Sequence, residues 1–95
     1  MSKDPYVYIL TNKARGTLYV GVTSNLKQRS WQHKEHLVEG FTKRYNLNFL
    51  VWFERHDTIL SAIAKEKTMK RWHRQWKIEL IETTNPTWRD LFEEL

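Results

Sequence analysis

The sequence predicts an α+β fold in which a small mixed sheet is covered by helices. Two runs rich in aromatic and β-branched residues, Tyr6 to Leu10 and Leu18 to Val22, flank a turn-rich loop, and a third run, Asn48 to Arg55, follows a helical segment. The predicted element order is roughly ββαβααα. Because strands and helices do not alternate regularly, this order favours a small sheet flanked by helices over a doubly wound parallel sheet.

The first two runs predict a β-hairpin closed by a loop over Thr11 to Gly16. Side chains alternate along a strand, so Tyr8 falls on the face opposite Val7, and Tyr19 shares a face with Gly21. If the tyrosines lie on the same face of the sheet, Gly21 leaves open space beside them.

Apolar spacing and capping residues predict the helices. The first begins near Asn25, with Thr23 or Ser24 as its cap, and runs towards Leu37. The next two cover Ile59 to about Trp72 and Arg74 to Glu82. Asn85-Pro86 ends the last of these, because proline fits neither a helix interior nor an α conformation before it.

Three charged or titratable side chains fall on the inward faces of these helices. Arg29 and His33 lie in the stripe of the first helix, and Glu66 lies near the centre of the inward arc of the second. Burying an unpaired charge is costly, so these groups need partners, a metal or a water-filled cleft. Either Arg29 and Glu66 form a structural ion pair, or the inward groups and the two tyrosines converge on one polar pocket.

Positive charge is concentrated between Lys65 and Lys77. This segment contains six basic residues and one acid, so it accounts for the whole formal net charge of +5. With Trp72 and Trp76 it offers cations for phosphates and flat rings for unpaired bases. The alternative is a solvated helix face whose tryptophans pack in the core.

Composition excludes several classes of function. The chain has no cysteine, which excludes disulfides, cysteine zinc sites and thiol catalysis. It contains no P-loop or dinucleotide-binding glycine motif, no targeting signal and no apolar run long enough to span a membrane. Residues 1–95 are expected to form one domain without an appended recognition domain, and the cytoplasm is the default location.

The motifs Tyr6-Val7-Tyr8 and Tyr19-Val20-Gly21, with Arg29 eight positions after Gly21, resemble the signature of the GIY-YIG nucleases. The similarity extends from Tyr6 to about Leu91 and is strongest to small stand-alone bacterial members. The first motif departs from Gly-Ile-Tyr at its first two positions, and the second differs only at Val20. The tyrosines and the glycine are retained.

This resemblance implies a three-stranded antiparallel sheet flanked by helices and an endonuclease that uses one divalent cation, Mg²⁺ or Mn²⁺. It assigns the metal to Glu66, phosphate contact to Arg29, and activation or orientation of the attacking water to Tyr19 or Tyr8. His33 and Asn85 are the implied supporting residues. A carboxylate-bound cation and a forked guanidinium suit the negative charge that develops on phosphoryl oxygens.

The expected partner is nucleic acid, DNA more than RNA, with substrates such as those of DNA repair or recombination. Expected substrate contacts are Gly21, Lys43, Arg44, Lys65, Lys67, Lys70, Arg71 and Arg74. A protein partner could supply specificity, no membrane partner is expected, and the sequence leaves the oligomeric state open. Two alternatives are a nucleic-acid-binding module with weak catalysis and a protein-interaction domain.

Overall fold

Three antiparallel strands form the central sheet: β1 (Tyr6–Thr11), β2 (Leu18–Thr23) and β3 (Phe49–Arg55). They lie in the order β2-β1-β3, so β2 and β3 are the edge strands. The computed structural model describes residues 4–38 and 40–95. Both strand pairs are antiparallel, which confirms the predicted α+β fold and its three-stranded antiparallel sheet.

The hairpin register determines which side chains share a face. Tyr8 pairs with Gly21, and Leu10 pairs with Tyr19, so the two motif tyrosines lie on the same face, as the period-two pattern predicts. That face packs a cluster containing Tyr8, Leu10, Leu26, Leu47, Leu50 and Leu91. The opposite face packs a second cluster that includes Val7, Ile9, Val20, Ala62, Met69, Ile78 and Ile81.

The helices are α1 (Leu26–Lys34), the short α2 (Phe41–Arg44), α3 (Ile59–Lys70) and α4 (Arg74–Thr84), followed by a 3₁₀ turn over Leu91–Glu94. The side chains of Thr58 and Asp90 cap α3 and the 3₁₀ turn by accepting from backbone N–H groups. In the described part of the chain, no helix is long and apolar enough to cross a membrane.

The bounds of α1 differ from those predicted. Thr23 still belongs to β2, where it pairs with Tyr6, so the cap is Asn25, whose Oδ1 accepts from Gln28 N at 3.2 Å. The helix ends at Lys34 because the chain turns into a positive φ of 56° at His36. Leu37, towards which the helix was predicted to run, lies beyond it and is 59% exposed.

The sheet separates two layers of helix. Ala62 and Met69 of α3 and Ile78 of α4 pack on the Val7 face, whereas Leu26 of α1 packs on the tyrosine face. Helix α3 contacts the edge strand β2 as well as β1. Helix α3 therefore lies along the edge of the sheet. Side chains on its flank, next to its buried stripe, can reach around that edge to the tyrosine face.

Candidate active site

Three aromatic side chains converge on the tyrosine face of the sheet. The ring centroids of Tyr8 and Tyr19 are 6.4 Å apart, and the His33 ring lies 6.0 Å from the first and 6.1 Å from the second. Strands β1 and β2 supply the tyrosines, and α1 supplies the histidine. The hydroxyl of Tyr8, a residue only 2% exposed, lies 3.3 Å from His33 Nε2. The predicted convergence of these three residues is therefore present.

Gly21 makes this tyrosine pair possible by lacking a side chain. A Cβ at this position would lie 2.5 Å from Tyr8 Cζ, 2.6 Å from its hydroxyl oxygen and 2.9 Å from Tyr19 Cε2. The sequence predicted open space here, but the two tyrosine rings fill it. Gly21 itself is buried, so its observed role is to admit the rings, whereas a direct contact with substrate was expected.

Replacing Gly21 with Ala is expected to lower the free energy of unfolding by about 1–3 kcal/mol, because both rings must shift to accommodate the methyl group. Urea unfolding measures the loss, and near-ultraviolet circular dichroism reports the change around the tyrosines. Ser24→Ala, at an exposed position of the following loop, is the matched control. A Gly21→Ala protein with wild-type stability would contradict the close packing.

Both ring nitrogens of His33 lie within hydrogen-bonding distance of a side-chain hydroxyl. Its Nδ1 lies 3.1 Å from the hydroxyl oxygen of Thr42, which is the second residue of α2. Burial, together with the nearby positive charge of Arg29, lowers the pKa of His33 to about 4. The imidazole is therefore neutral at pH 7, with one nitrogen donating and the other accepting. Thr42 was not predicted, because no spacing or motif in the sequence marks it.

Because the pKa of His33 is about 4 in the folded protein and near 6.5 in an unfolded chain, only the unfolded chain takes up this proton between those values. Stability is thus fully present above pH 6.5 and falls as the pH drops towards 4. In an NMR titration of the histidine Cε1 protons, we expect the His33 signal to move only near pH 4. A His33 midpoint near 6.5 would contradict the buried neutral state.

Two opposite charges act on the same tyrosine. Burial raises the pKa of Tyr8 far above its usual value, and the neighbouring Tyr19 raises it further. Arg29 opposes this shift, and Glu66 adds to it. Arg29 lies on α1 and Glu66 on α3, so the fold brings both charges within electrostatic reach of the tyrosine pair.

Glu66 pairs with a lysine of its own helix. Its side chain is 14% exposed, and its Oε2 lies 3.2 Å from Nζ of Lys70, one turn further along α3. That ammonium group also lies 5.9 Å from the centroid of the Tyr19 ring. The carboxylate is therefore directed towards the tyrosine side of α3.

The guanidinium of Arg29 has no such partner. Arg29 is half-buried, and within residues 4–38 and 40–95 no carboxylate lies at ion-pairing distance from it. The structural ion pair between Arg29 and Glu66, considered as an alternative from the sequence, is therefore not formed in this structure. A half-buried arginine without a counter-ion retains all its donors for an anion.

The donor set suits a hard cation held by one protein ligand. In the described part of the chain, no group of three or more histidine, aspartate or glutamate side chains could hold a metal ion. Magnesium commonly binds through one or two carboxylates and keeps several waters. Glu66 fits this mode, because it is a mostly buried carboxylate whose Oε1 accepts no hydrogen bond within the described residues.

Asn85 has a structural role in this fold. Its Nδ2 donates to the carbonyl oxygens of Val51 at 3.1 Å and Arg89 at 2.9 Å, and its Oδ1 accepts from Arg89 N at 3.2 Å. Val51 is the extra residue of a β-bulge, because Ile9 faces Trp52 while Leu10 faces Leu50. Both amide hydrogens are occupied, so Asn85 ties the end of α4 to β3 and has no donor left for a substrate.

The basic residues predicted to contact substrate do not form one surface. Lys70 is at the tyrosine site, whereas Lys65 lies on the other side of α3, with its Nζ 3.9 Å from Glu54 and 5.9 Å from the centroid of Trp72. Lys67 and Arg71 are exposed between these two sides. Because successive residues of a helix point about 100° apart, the basic side chains of this segment are spread around the axis of α3.

Arg74 lies at a separate place beside the hairpin loop. Its guanidinium donates to the carbonyl oxygens of Arg15 and Gly16, the latter at 2.6 Å. With Lys77, Trp72, Thr17 and Leu18 it lines an open cleft. Burial lowers the pKa of Lys77, and the charge of Arg74 lowers it further. Lys43 and Arg44 lie on exposed positions of α2.

Comparisons with known proteins match most of this chain. The family model of the GIY-YIG catalytic domain matches residues 4–79. The UPF0213 protein SSP2268 of Staphylococcus saprophyticus is 33% identical over 76 residues, which cover 80% of this chain and 92% of that protein. The UPF0213 protein NP_0776A of Natronomonas pharaonis is 33% identical over 81 residues, which cover 85% and 94%. No solved structure matches significantly.

Proposed function

The chain belongs to the GIY-YIG catalytic-domain family, a family of nucleases, and on this premise we propose that it is a metal-dependent endonuclease that hydrolyses phosphodiester bonds in DNA. The observation that supports the proposal is that Tyr8, Tyr19 and His33 converge on one face of the sheet, and that the opposite charges of Arg29 and Glu66 both act on Tyr8. Phosphodiester hydrolysis needs an oriented water and positive charge where negative charge develops.

Arg29 binds the phosphate in this proposal. Its guanidinium presents a rigid fork of donors that matches the oxygens of a phosphodiester, and it has no carboxylate partner among the described residues. In a half-buried position the attraction between arginine and phosphate is stronger than in bulk water. The same charge stabilises the phosphoryl oxygens as the attacking water adds.

Glu66 would hold the cation, Mg²⁺ or Mn²⁺, through its carboxylate. When bound, the cation supplies positive charge to the phosphoryl and departing oxygens. Lys70 pairs with Glu66 and, as an exposed flexible side chain, would move aside from a carboxylate that held a metal.

The tyrosine pair orients and activates the attacking water. Tyr8 is buried and its pKa is strongly raised, so it keeps its proton. Its hydrogen bond with His33 holds the two rings in position. Tyr19 is more exposed than Tyr8 and is therefore accessible to the attacking water, so it serves as the base in this proposal. Neutral His33 orients the Tyr8 hydroxyl through their hydrogen bond, and Thr42 fixes the imidazole ring.

The substrate surface extends from this centre over exposed cations. Lys67, Lys70 and Arg71 of α3 and Lys43 and Arg44 of α2 contact the phosphate backbone in this proposal. Such contacts give affinity that falls steeply with salt. DNA is favoured over RNA, the cytoplasm is the proposed location, and a protein partner is proposed to add specificity.

The test is cleavage of labelled single-stranded, duplex, flap and four-way-junction DNA, with matched RNA strands, in the presence of Mg²⁺, Mn²⁺ or a chelator. Discrete products that need a cation support the proposal and identify the substrate class. Substrates that are shifted in a gel but stay intact at every cation concentration indicate a binding module. Absence of both products and shifts indicates a protein-interaction domain.

A further inference from the structure

A row of aromatic rings leads from the tyrosine site onto the surface of α2. The centroids of Tyr19 and Phe41 are 6.4 Å apart with their planes at 30°, and those of Phe41 and Tyr45 are 4.8 Å apart. The guanidinium carbon of Arg44 lies 5.9 Å from the centroid of Tyr45. The row thus begins at a residue of the proposed active site and ends beside an exposed cation.

The outer two rings are far from buried. Phe41 is 48% exposed and Tyr45 is 44% exposed, whereas Thr42, which lies between them in the sequence, is buried and anchored to His33. A contiguous exposed aromatic surface beside a polar site marks a place where another molecule binds. An aromatic surface with a neighbouring guanidinium suits a partner that has both flat apolar faces and negative charge.

Unpaired nucleotides have both properties. We propose that Phe41 and Tyr45 stack with unpaired bases adjoining the phosphodiester that is cut, so that the preferred substrate is a nucleic-acid strand with unpaired bases next to the cleavage point. The proposal rests on the proposed nuclease function for the position of the cut. In a duplex the faces of the bases are already stacked on each other, so a continuous duplex cannot use this row.

The contact between Tyr19 and Phe41 determines the order in which the bases of the nucleic-acid strand lie along the aromatic row. Because the Phe41 ring lies against Tyr19, the base on Phe41 is the one nearer the phosphate held by Arg29, and the base on Tyr45 is further along. Arg44 then neutralises a phosphate beyond the tyrosine site. Deoxyribose and ribose strands share this chemistry, and the experiment includes both.

The experiment measures binding of short labelled single strands of DNA and RNA, and of a blunt duplex, by fluorescence anisotropy in a chelator, where no cleavage occurs. Phe41→Ala and Tyr45→Ala should each weaken single-strand binding about fivefold or more, because stacking on an aromatic ring contributes that much per base, and should change duplex binding far less. Tyr45→Phe should bind as wild type. The control is Phe49→Ala, which removes an exposed aromatic ring at the start of β3.

A second variant separates stacking from disturbance of Tyr19. Phe41→Leu keeps apolar volume beside Tyr19 but removes the ring, and it should weaken single-strand binding while keeping the wild-type melting temperature. Replacing single nucleotides of the strand with abasic ones should reduce affinity for the wild type and have no further effect in Phe41→Ala. Unchanged single-strand affinity in both alanine variants would overturn the proposal and leave a protein partner for this surface.

The chelator keeps this test independent of the nuclease proposal. If the wild type never cleaves but the alanine variants lose single-strand affinity, the nuclease function fails and the base-stacking surface stands. If the wild type cleaves and the variants bind and cleave flaps and duplexes as well as it does, the nuclease function stands and the stacking surface fails.

Discussion

Replacing Glu66 with Gln is expected to lower the cleavage rate by at least about 1,000-fold, because the amide removes the only carboxylate that the site offers to the cation within the described residues. Nucleic-acid binding should remain close to wild type, since the substitution removes a negative charge and adds none. The fold should also persist, because the partner of Glu66 is the exposed, flexible Lys70.

Single-turnover cleavage with saturating Mg²⁺ measures the rate, and calorimetric titration of Mn²⁺ into the free protein measures the metal site without any turnover. Glu79→Gln, which removes an exposed glutamate from α4, is the matched control and should change neither. Full cation-dependent activity in Glu66→Gln would remove Glu66 from the proposed mechanism. Lost activity with undiminished Mn²⁺ binding would place the cation elsewhere.

Replacing Arg29 with Ala is expected to lower the cleavage rate by about 100- to 1,000-fold, the usual loss when one donor to a developing negative charge is removed. Arg29→Lys should recover only part of this loss, since an ammonium keeps the charge but not the forked donors. Because Arg29 lowers the pKa of His33, the NMR midpoint of His33 should rise in Arg29→Ala.

The unfolding stability of Arg29→Ala distinguishes a role of Arg29 in catalysis from a role in the fold. A half-buried guanidinium with no carboxylate partner in the described ranges contributes no ion pair, so Arg29→Ala should unfold at a urea concentration close to that of wild type. Arg89→Ala, which removes an exposed arginine paired with Glu94, is the control for loss of positive charge. Marked destabilisation by Arg29→Ala with undiminished cleavage would assign Arg29 to the fold.

Patterns with a strict period were predictable from the sequence, and contacts between distant segments were not. The alternation within each strand was predictable, whereas the register that puts Tyr8 and Tyr19 on one face is given by the structure. Helical spacing placed His33 and Glu66 inward. The local pair between Glu66 and Lys70 was visible as an i, i+4 spacing, yet Arg29 was considered as the partner instead.

Two features of the structure depend on tertiary contacts that the sequence does not reveal. Helix α2 has only four residues and no apolar period, so its existence could not be predicted. Asn85 was assigned to the site by resemblance, but its amide is occupied by Val51 and Arg89, which come together only because β3 has a bulge. A bulge adds one residue to a strand without any obligatory change in composition.

Helix α2 fastens both His33 and Tyr19 through adjacent residues, since Thr42 contacts the first and Phe41 the second. One helical turn has almost no stability of its own, so these contacts hold it in place as much as it holds them. Local opening of this turn would release the histidine and uncover the tyrosine in a single event. The fraction of molecules with an assembled site at any instant is therefore set by the small free energy of this local opening, and it can change while the global stability of the protein stays the same.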